Sequence, residues 1–134
     1  MGKEEKGVLL CVDDERMVLD ALKTQLKTAF GNQYLIEAAE SAEEGLEILD
    51  EMRDEGCQPL VVISDWLMPG MKGDVFLREA KSRFPSVVKI MLSGQADPVA
   101  VEQAWENGGL DSFIIKPWDI DDLIGSINSG LGVR

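Results

Sequence analysis

Five polar side chains follow short apolar runs in this sequence: Asp13 and Asp14 after GVLLCV, Asp65 after LVVIS, Ser93 after VVKIML, and Lys116 closing DSFIIK. Their types make a coherent chemical set. Three carboxylates brought to about 4 Å of one another repel strongly unless a cation lies between them, and oxygen donors suit a hard divalent ion such as Mg²⁺. Three carboxylates, that ion and one ammonium are together neutral. A phosphoryl group arriving there meets a metal, an ammonium, a hydroxyl and loop amides, the parts that stabilise in-line transfer. One carboxylate must then be the nucleophile. Asp65 is the candidate because it emerges alone from the central run, and its product is an aspartyl phosphate.

Such chemistry needs residues that are far apart in sequence to meet. The runs at 7–12, 34–39, 60–64, 87–92 and 111–116 are short and β-rich, and read as strands. Helical stretches separate them. Residues 15–30 place Val18, Leu22, Leu26 and Phe30 on one face before Gly31-Asn32 stops the helix. Ser41 and Glu44 have capping-box spacing ahead of Leu46, Ile48 and Leu49. A third helix runs from Asp74 to Phe84 and closes at Pro85; Asp97-Pro98 opens a fourth and Asp119 a fifth. Five strand–helix alternations predict a doubly wound α/β fold with a parallel sheet and helices on both faces. In the flavodoxin-like order 2-1-3-4-5, strands one, three, four and five are consecutive, about 4.8 Å apart, and their carboxyl ends share one pocket. The second strand ends blandly in Ala38-Ala39-Glu40.

Composition narrows the classes. A chain of 134 residues reads as a single domain with its core at about 7–130. No run approaches the roughly 18 apolar residues of a membrane span, and MGKEEKG lacks a signal-peptide core, so a cytoplasmic protein is expected. The chain has no histidine, which excludes an imidazole base and His-ligated zinc. Its net charge of −12 has the wrong sign for direct nucleic-acid binding. Cys11 and Cys57 read as packing residues, and so do Trp66, Trp105 and Trp118.

Asp13-Asp14, the Asp65-Trp-Leu-Met-Pro-Gly loop, Ser93-Gly94 and Phe113-Ile-Ile-Lys116-Pro117, in that order, resemble a two-component response-regulator receiver domain, the CheY-like family. The resemblance covers about residues 7 to 130. It implies that Asp65 accepts a phosphoryl group from a sensor histidine kinase or phosphotransfer protein, the domain catalysing only its own phosphorylation and dephosphorylation. It implies that Asp14, Asp65 and the backbone carbonyl of Leu67 bind Mg²⁺, with Asp13 acting through water. Lys116 would pair with the phosphoryl oxygens, Ser93 would hydrogen-bond them, and Phe113 would swing inward as Ser93 moves. The Lys116-Pro117 bond would be cis. Output would pass through the fourth helix, fifth strand and fifth helix to an output domain or protein. The chain is then a whole protein or a domain excised from a longer regulator.

This sequence departs from the pattern in places. Ser93 replaces the commoner threonine, and Gln95 follows two residues later. Leu67 is apolar where a polar residue often stands, and is expected to hinder water and slow dephosphorylation. The wording around Asp65 and Lys116 is also similar to receivers joined to cyclic-nucleotide-signalling or kinase-type modules.

Blander readings exist. Asp13 and Asp14 could cap the first helix, Asp65 could form a turn, Ser93 could be a loop hydroxyl and Lys116 a solvated cation. Phe113 could be a core residue. A Mg²⁺-dependent phosphohydrolase would use the same atoms, but the position two residues after its nucleophile, usually a second carboxylate, is Leu67 here. An unphosphorylated interaction module is a third reading, opposed by the intact acidic, hydroxyl and lysine set. The acids from 97 to 122 face a single basic residue, Lys116, so a charge-paired homodimer through that face is not expected and the isolated domain should be a monomer or weak dimer.

Overall fold

The computed structural model describes residues 7–94 and 98–132. Its elements alternate in the order β1 (Gly7–Val12), α1 (Arg16–Phe30), β2 (Tyr34–Ala39), α2 (Ala42–Asp54), β3 (Pro59–Ser64), α3 (Gly73–Arg83), β4 (Val88–Ser93), α4 (Pro98–Gly108), β5 (Ser112–Ile115) and α5 (Ile120–Leu131). All four strand pairings are parallel and the sheet order is β2-β1-β3-β4-β5, as the sequence predicts.

The central strands read as unbroken apolar runs because both of their faces are covered. Leu9, Cys11, Val61, Ile63, Ile90 and Leu92 meet Leu19, Leu22 and Leu26 of α1 and Leu123 and Ile127 of α5. Alternate residues Val8, Leu10, Val12, Val62 and Met91 turn to the opposite face, against Leu49 and Met52 of α2 and Phe76, Leu77 and Ala80 of α3. The helix α4 packs beside α3. Burial suppresses ionisation of the Cys11 thiol and pushes its pKa up to about 12, in keeping with a packing role.

Local capping departs from expectation in detail. Ser41 Oγ accepts from Glu44 N at 3.0 Å, but Glu44 Oε1 accepts from Glu40 N at 2.7 Å, one residue beyond the reciprocal capping-box bond to Ser41 N. Asp119 Oδ1 accepts from Asp121 N at 2.8 Å and caps α5. The third helix starts at Gly73, one residue early, with Lys72 at its cap position. Asp97 and Gln95 lie outside the described residues. Trp66 is buried and Trp118 half-buried, its Nε1 donating to Gln25 Oε1 at 2.7 Å, whereas Trp105 is 44% exposed on α4.

Candidate phosphoacceptor site

Each strand bearing a candidate residue hands it to the same sheet edge through one more ladder-like bond. Asp13 N donates to Ala39 O at 3.1 Å, Asp65 N to Val12 O at 3.1 Å, and Lys116 N to Ser93 O at 2.9 Å. Ser93 is itself the last residue of β4. The backbone of each residue is therefore fixed by the sheet before its side chain makes any contact.

The side chains then converge. Asp13, Asp14 and Asp65 each present a carboxylate oxygen, and the three lie within 4.8 Å of one another. Lys116 Nζ donates to Asp13 Oδ2 at 2.7 Å and lies 3.4 Å from Asp65 Oδ2. A shallow hollow above them is lined by Asp14, Glu15, Asp65, Leu67, Ser93, Gly94 and Lys116. Asp13 and Asp65 are buried beneath it, and Asp14 is exposed. Phe113 is outside the lining, half-buried against the core on the α3 side.

The capping alternative for the first aspartates fails: the N-cap of α1 is Glu15, and no side chain caps that helix. Asp13 Oδ1 instead accepts from Glu15 N at 2.8 Å, which aims its other oxygen at Lys116. Asp65 Oδ1 accepts from Trp66 N at 2.7 Å, leaving Oδ2 toward the ammonium. The Lys116-Pro117 peptide is cis.

The electrostatics follow from this geometry. Burial, and then the charge of Asp13, raise the pKa of Asp65, with Lys116 and the Trp66 amide opposing. Burial works against the Lys116 ammonium, but its hydrogen bond to Asp13 and the Asp65 and Asp13 charges outweigh that and raise its pKa. Two buried carboxylates and an exposed one make a hard-oxygen set open to solvent on one side. That is a fit for a divalent cation that keeps some of its water.

Two residues not read as functional from the sequence belong to the site's frame. Glu15 places Oε1 3.8 Å from Lys116 Nζ, and as a third acid directly after Asp13-Asp14 it carried a visible cue. Gly73 carried none. An added Cβ at Gly73 would clash with the Asp65 carbonyl oxygen and lie 3.0 Å from Trp66 Cα, and Gly73 N donates to Trp66 O at 2.8 Å. The start of α3 thus rests on the backbone of the candidate nucleophile, a contact visible only in three dimensions.

Known proteins resemble this chain over nearly its whole length. The family described as the response regulator receiver domain matches residues 9–128. The hydrogenase transcriptional regulatory protein HoxA of Cupriavidus necator is 31% identical over 129 residues, covering 96% of this chain and 25% of that protein. This chain thus spans about a quarter of the length of that relative. The signal receiver domain of an HD domain-containing protein from Pseudomonas fluorescens has a TM-score of 0.84 at 25% identity, covering 95% of each chain. A response regulator receiver domain protein from Clostridium thermocellum has a TM-score of 0.81 at 31% identity, covering 94% of each. Strand order, the acidic cluster with its lysine, and a family match over nearly the whole chain agree: this chain belongs to the response regulator receiver domain family.

Proposed function

We propose that this chain is a phosphorylation-controlled switch in which Asp65 takes a phosphoryl group from the phosphohistidine of a sensor kinase or phosphotransfer protein. The observation that carries the reading is the meeting of three carboxylates with Lys116, whose Nζ is 3.4 Å from Asp65 Oδ2. In the transfer, the donor's phosphorus–nitrogen bond breaks, a phosphorus–oxygen bond forms to the Asp65 carboxylate, and the imidazole leaves neutral, keeping the proton already on its other ring nitrogen.

Asp14, Asp65 and the Leu67 carbonyl would hold Mg²⁺, with Asp13 acting through water. Bound there, the ion would offset negative charge on the phosphoryl oxygens. The protein's own groups do the rest. Lys116 is held near Asp65 by Asp13 and can turn from Asp65 Oδ2 to a phosphoryl oxygen. Ser93, buried at the end of β4, is among the residues around the hollow, and its hydroxyl would donate to a second oxygen. Phe113, two residues from Ile115 on the same side of β5, would move inward as Ser93 shifts and carry the change to the α4-β5-α5 face.

Leu67 is 44% exposed at the mouth of the hollow and would shield the aspartyl phosphate from water. Replacing it with Asn should shorten the phosphoryl half-life several-fold in a single-turnover decay; an unchanged half-life would remove Leu67 from the account. The similar receivers belong to proteins as different as a transcriptional regulatory protein and an HD domain-containing protein, in keeping with a module whose chemistry is independent of its output. We place its action in the cytoplasm, where kinase donors work; no described helix is long and apolar enough to cross a membrane.

Incubation with Mg²⁺ and a small phosphodonor, followed by intact-mass measurement, tests the reading. One phosphoryl group should be gained by the wild type and none by Asp65→Asn. Turnover of many equivalents of a phosphomonoester would favour the hydrolase alternative instead.

A further inference from the structure

Three of the six large apolar side chains exposed among the described residues lie on α4 and β5: Val99 at 60%, Trp105 at 44% and Ile115 at 50%. Single exposed apolar residues need no explanation, but these belong to successive elements at one edge of the sheet, where β5 is the terminal strand. Alternation along β5 puts Ile115 on the same side as Phe113, the side on which α4 packs against α3, while Ile114 joins the opposite core. Trp66 and Trp118 are engaged inside the protein; Trp105 faces outward. Tryptophan at a protein surface is among the strongest anchors for a partner.

The surround of these residues is acidic. Glu102, Glu106, Asp111, Asp119, Asp121 and Asp122 are all exposed, and between Lys89 and Arg134 the only basic residue is Lys116. Its ammonium is turned away into the site, onto Asp13 at 2.7 Å. Some of these acids have local reasons to be there. Asp119 caps α5, Asp121 and Asp122 lie in its first turn where the helix dipole favours them, and Asp111 is 3.5 Å from Lys89. Glu102 and Glu106 have no such reason. Neither is in the first turn of α4, and Glu106 is in its last, where the dipole disfavours an anion and no basic residue compensates. Glu106 works against the helix end, and with Glu102 four residues earlier it makes a like-charge pair on an exposed face, which an external cation would relieve.

We infer that the α4-β5 edge, with the acidic start of α5 beside it, docks a cationic protein segment that seats aliphatic or aromatic side chains against Trp105 and Ile115. The inference rests on the switch reading above and names the chemistry of the partner that the switched face would meet. Charge complementarity selects the occupant. A second copy of this chain on a two-fold axis would bring the same acids to face each other, at a cost, whereas lysines or arginines flanking an apolar anchor match both features.

The test uses the whole chain and a short synthetic peptide of lysines and leucines at helical spacing. Two control peptides replace its lysines with glutamates or its leucines with serines. Affinity is measured for wild type, E102K/E106K on α4, E47K/E51K on the exposed side of α2, and Trp105→Ser. Because the two double variants change net charge equally, they separate a built surface from general attraction to an acidic protein. Reversal on α4 should weaken binding about tenfold or more and reversal on α2 less than about threefold, with salt reducing the affinity. Trp105→Ser and the serine peptide should each bind several-fold more weakly.

Equal losses from the two double variants, full binding of the serine peptide, or concentration-dependent dimerisation through α4 would overturn the proposal. Repeating the titration with Mg²⁺ and beryllofluoride separates the two readings. Binding that is specific to α4 but indifferent to beryllofluoride would count against the switch and leave the docking partner standing.

Discussion

As the proposed phosphoacceptor Asp65 would have to be ionised, yet burial and the neighbouring Asp13 both favour its protonated form. Those influences make its charge a burden on the metal-free fold. An acid whose pKa is raised by folding binds its proton more tightly in the native state, so stability falls as pH rises from the unfolded value of 3.8 through the folded one. In EDTA at neutral pH, Asp65→Asn should therefore unfold at a higher temperature than wild type, by an amount on the order of 1 kcal/mol. The difference should vanish as pH falls toward the unfolded value, and a less stable variant at neutral pH would contradict the electrostatic account. The candidate residues themselves were legible in the sequence, because each polar group closes an apolar run. Their pairing was less so. No spacing rule says that Lys116 shares its proton donors between Asp13 and Asp65, or that Glu15 stands third in line.

At the scale of elements, the sheet aims the site and the loop after β3 shapes it. Strands were readable because burial on both faces leaves continuous apolar runs, and helices because α1 and α5 bury one face each. Their ends were less readable, being decided by contacts such as Gly73 on Trp66. The same contact gives a test of how tightly α3 is built onto the site. Gly73→Ala must displace the Asp65 backbone, and should destabilise the fold by roughly 1–3 kcal/mol while weakening Mg²⁺ binding followed by Trp66 fluorescence. Gly125, within α5, has open space where a Cβ would be, so Gly125→Ala should stabilise by up to about 1 kcal/mol and leave Mg²⁺ affinity unchanged. Comparable effects of the two substitutions would mean that α3 does not brace the site. Trp105 marks the limit of reading by type: an aromatic on an amphipathic helix is normally turned inward, and only the packed molecule shows it outside.

For the whole molecule, one parallel order explains why groups up to 103 positions apart, Asp13 and Lys116, come within hydrogen-bonding distance. The charge pattern follows the same division. Acid concentrates in the hollow at the carboxyl ends of the strands and again along the β5 edge, and the structure joins the two through β5 and Lys116, which leads directly from one to the other. The overall excess of acid was plain from composition, but its separation into the strand-end cluster and the β5 edge required the fold. On the proposed function, the five strand-end residues form one receptacle for a metal-bound phosphoryl group. The most direct measurement is a crystal structure of the chain with Mg²⁺ and beryllofluoride. Beryllium is expected on the Asp65 carboxylate, Mg²⁺ beside it on Asp14, and fluorides accepting hydrogen bonds from Lys116 Nζ and Ser93 Oγ. Beryllofluoride absent from Asp65 under saturating conditions, or Lys116 directed away from it, would contradict the proposed function.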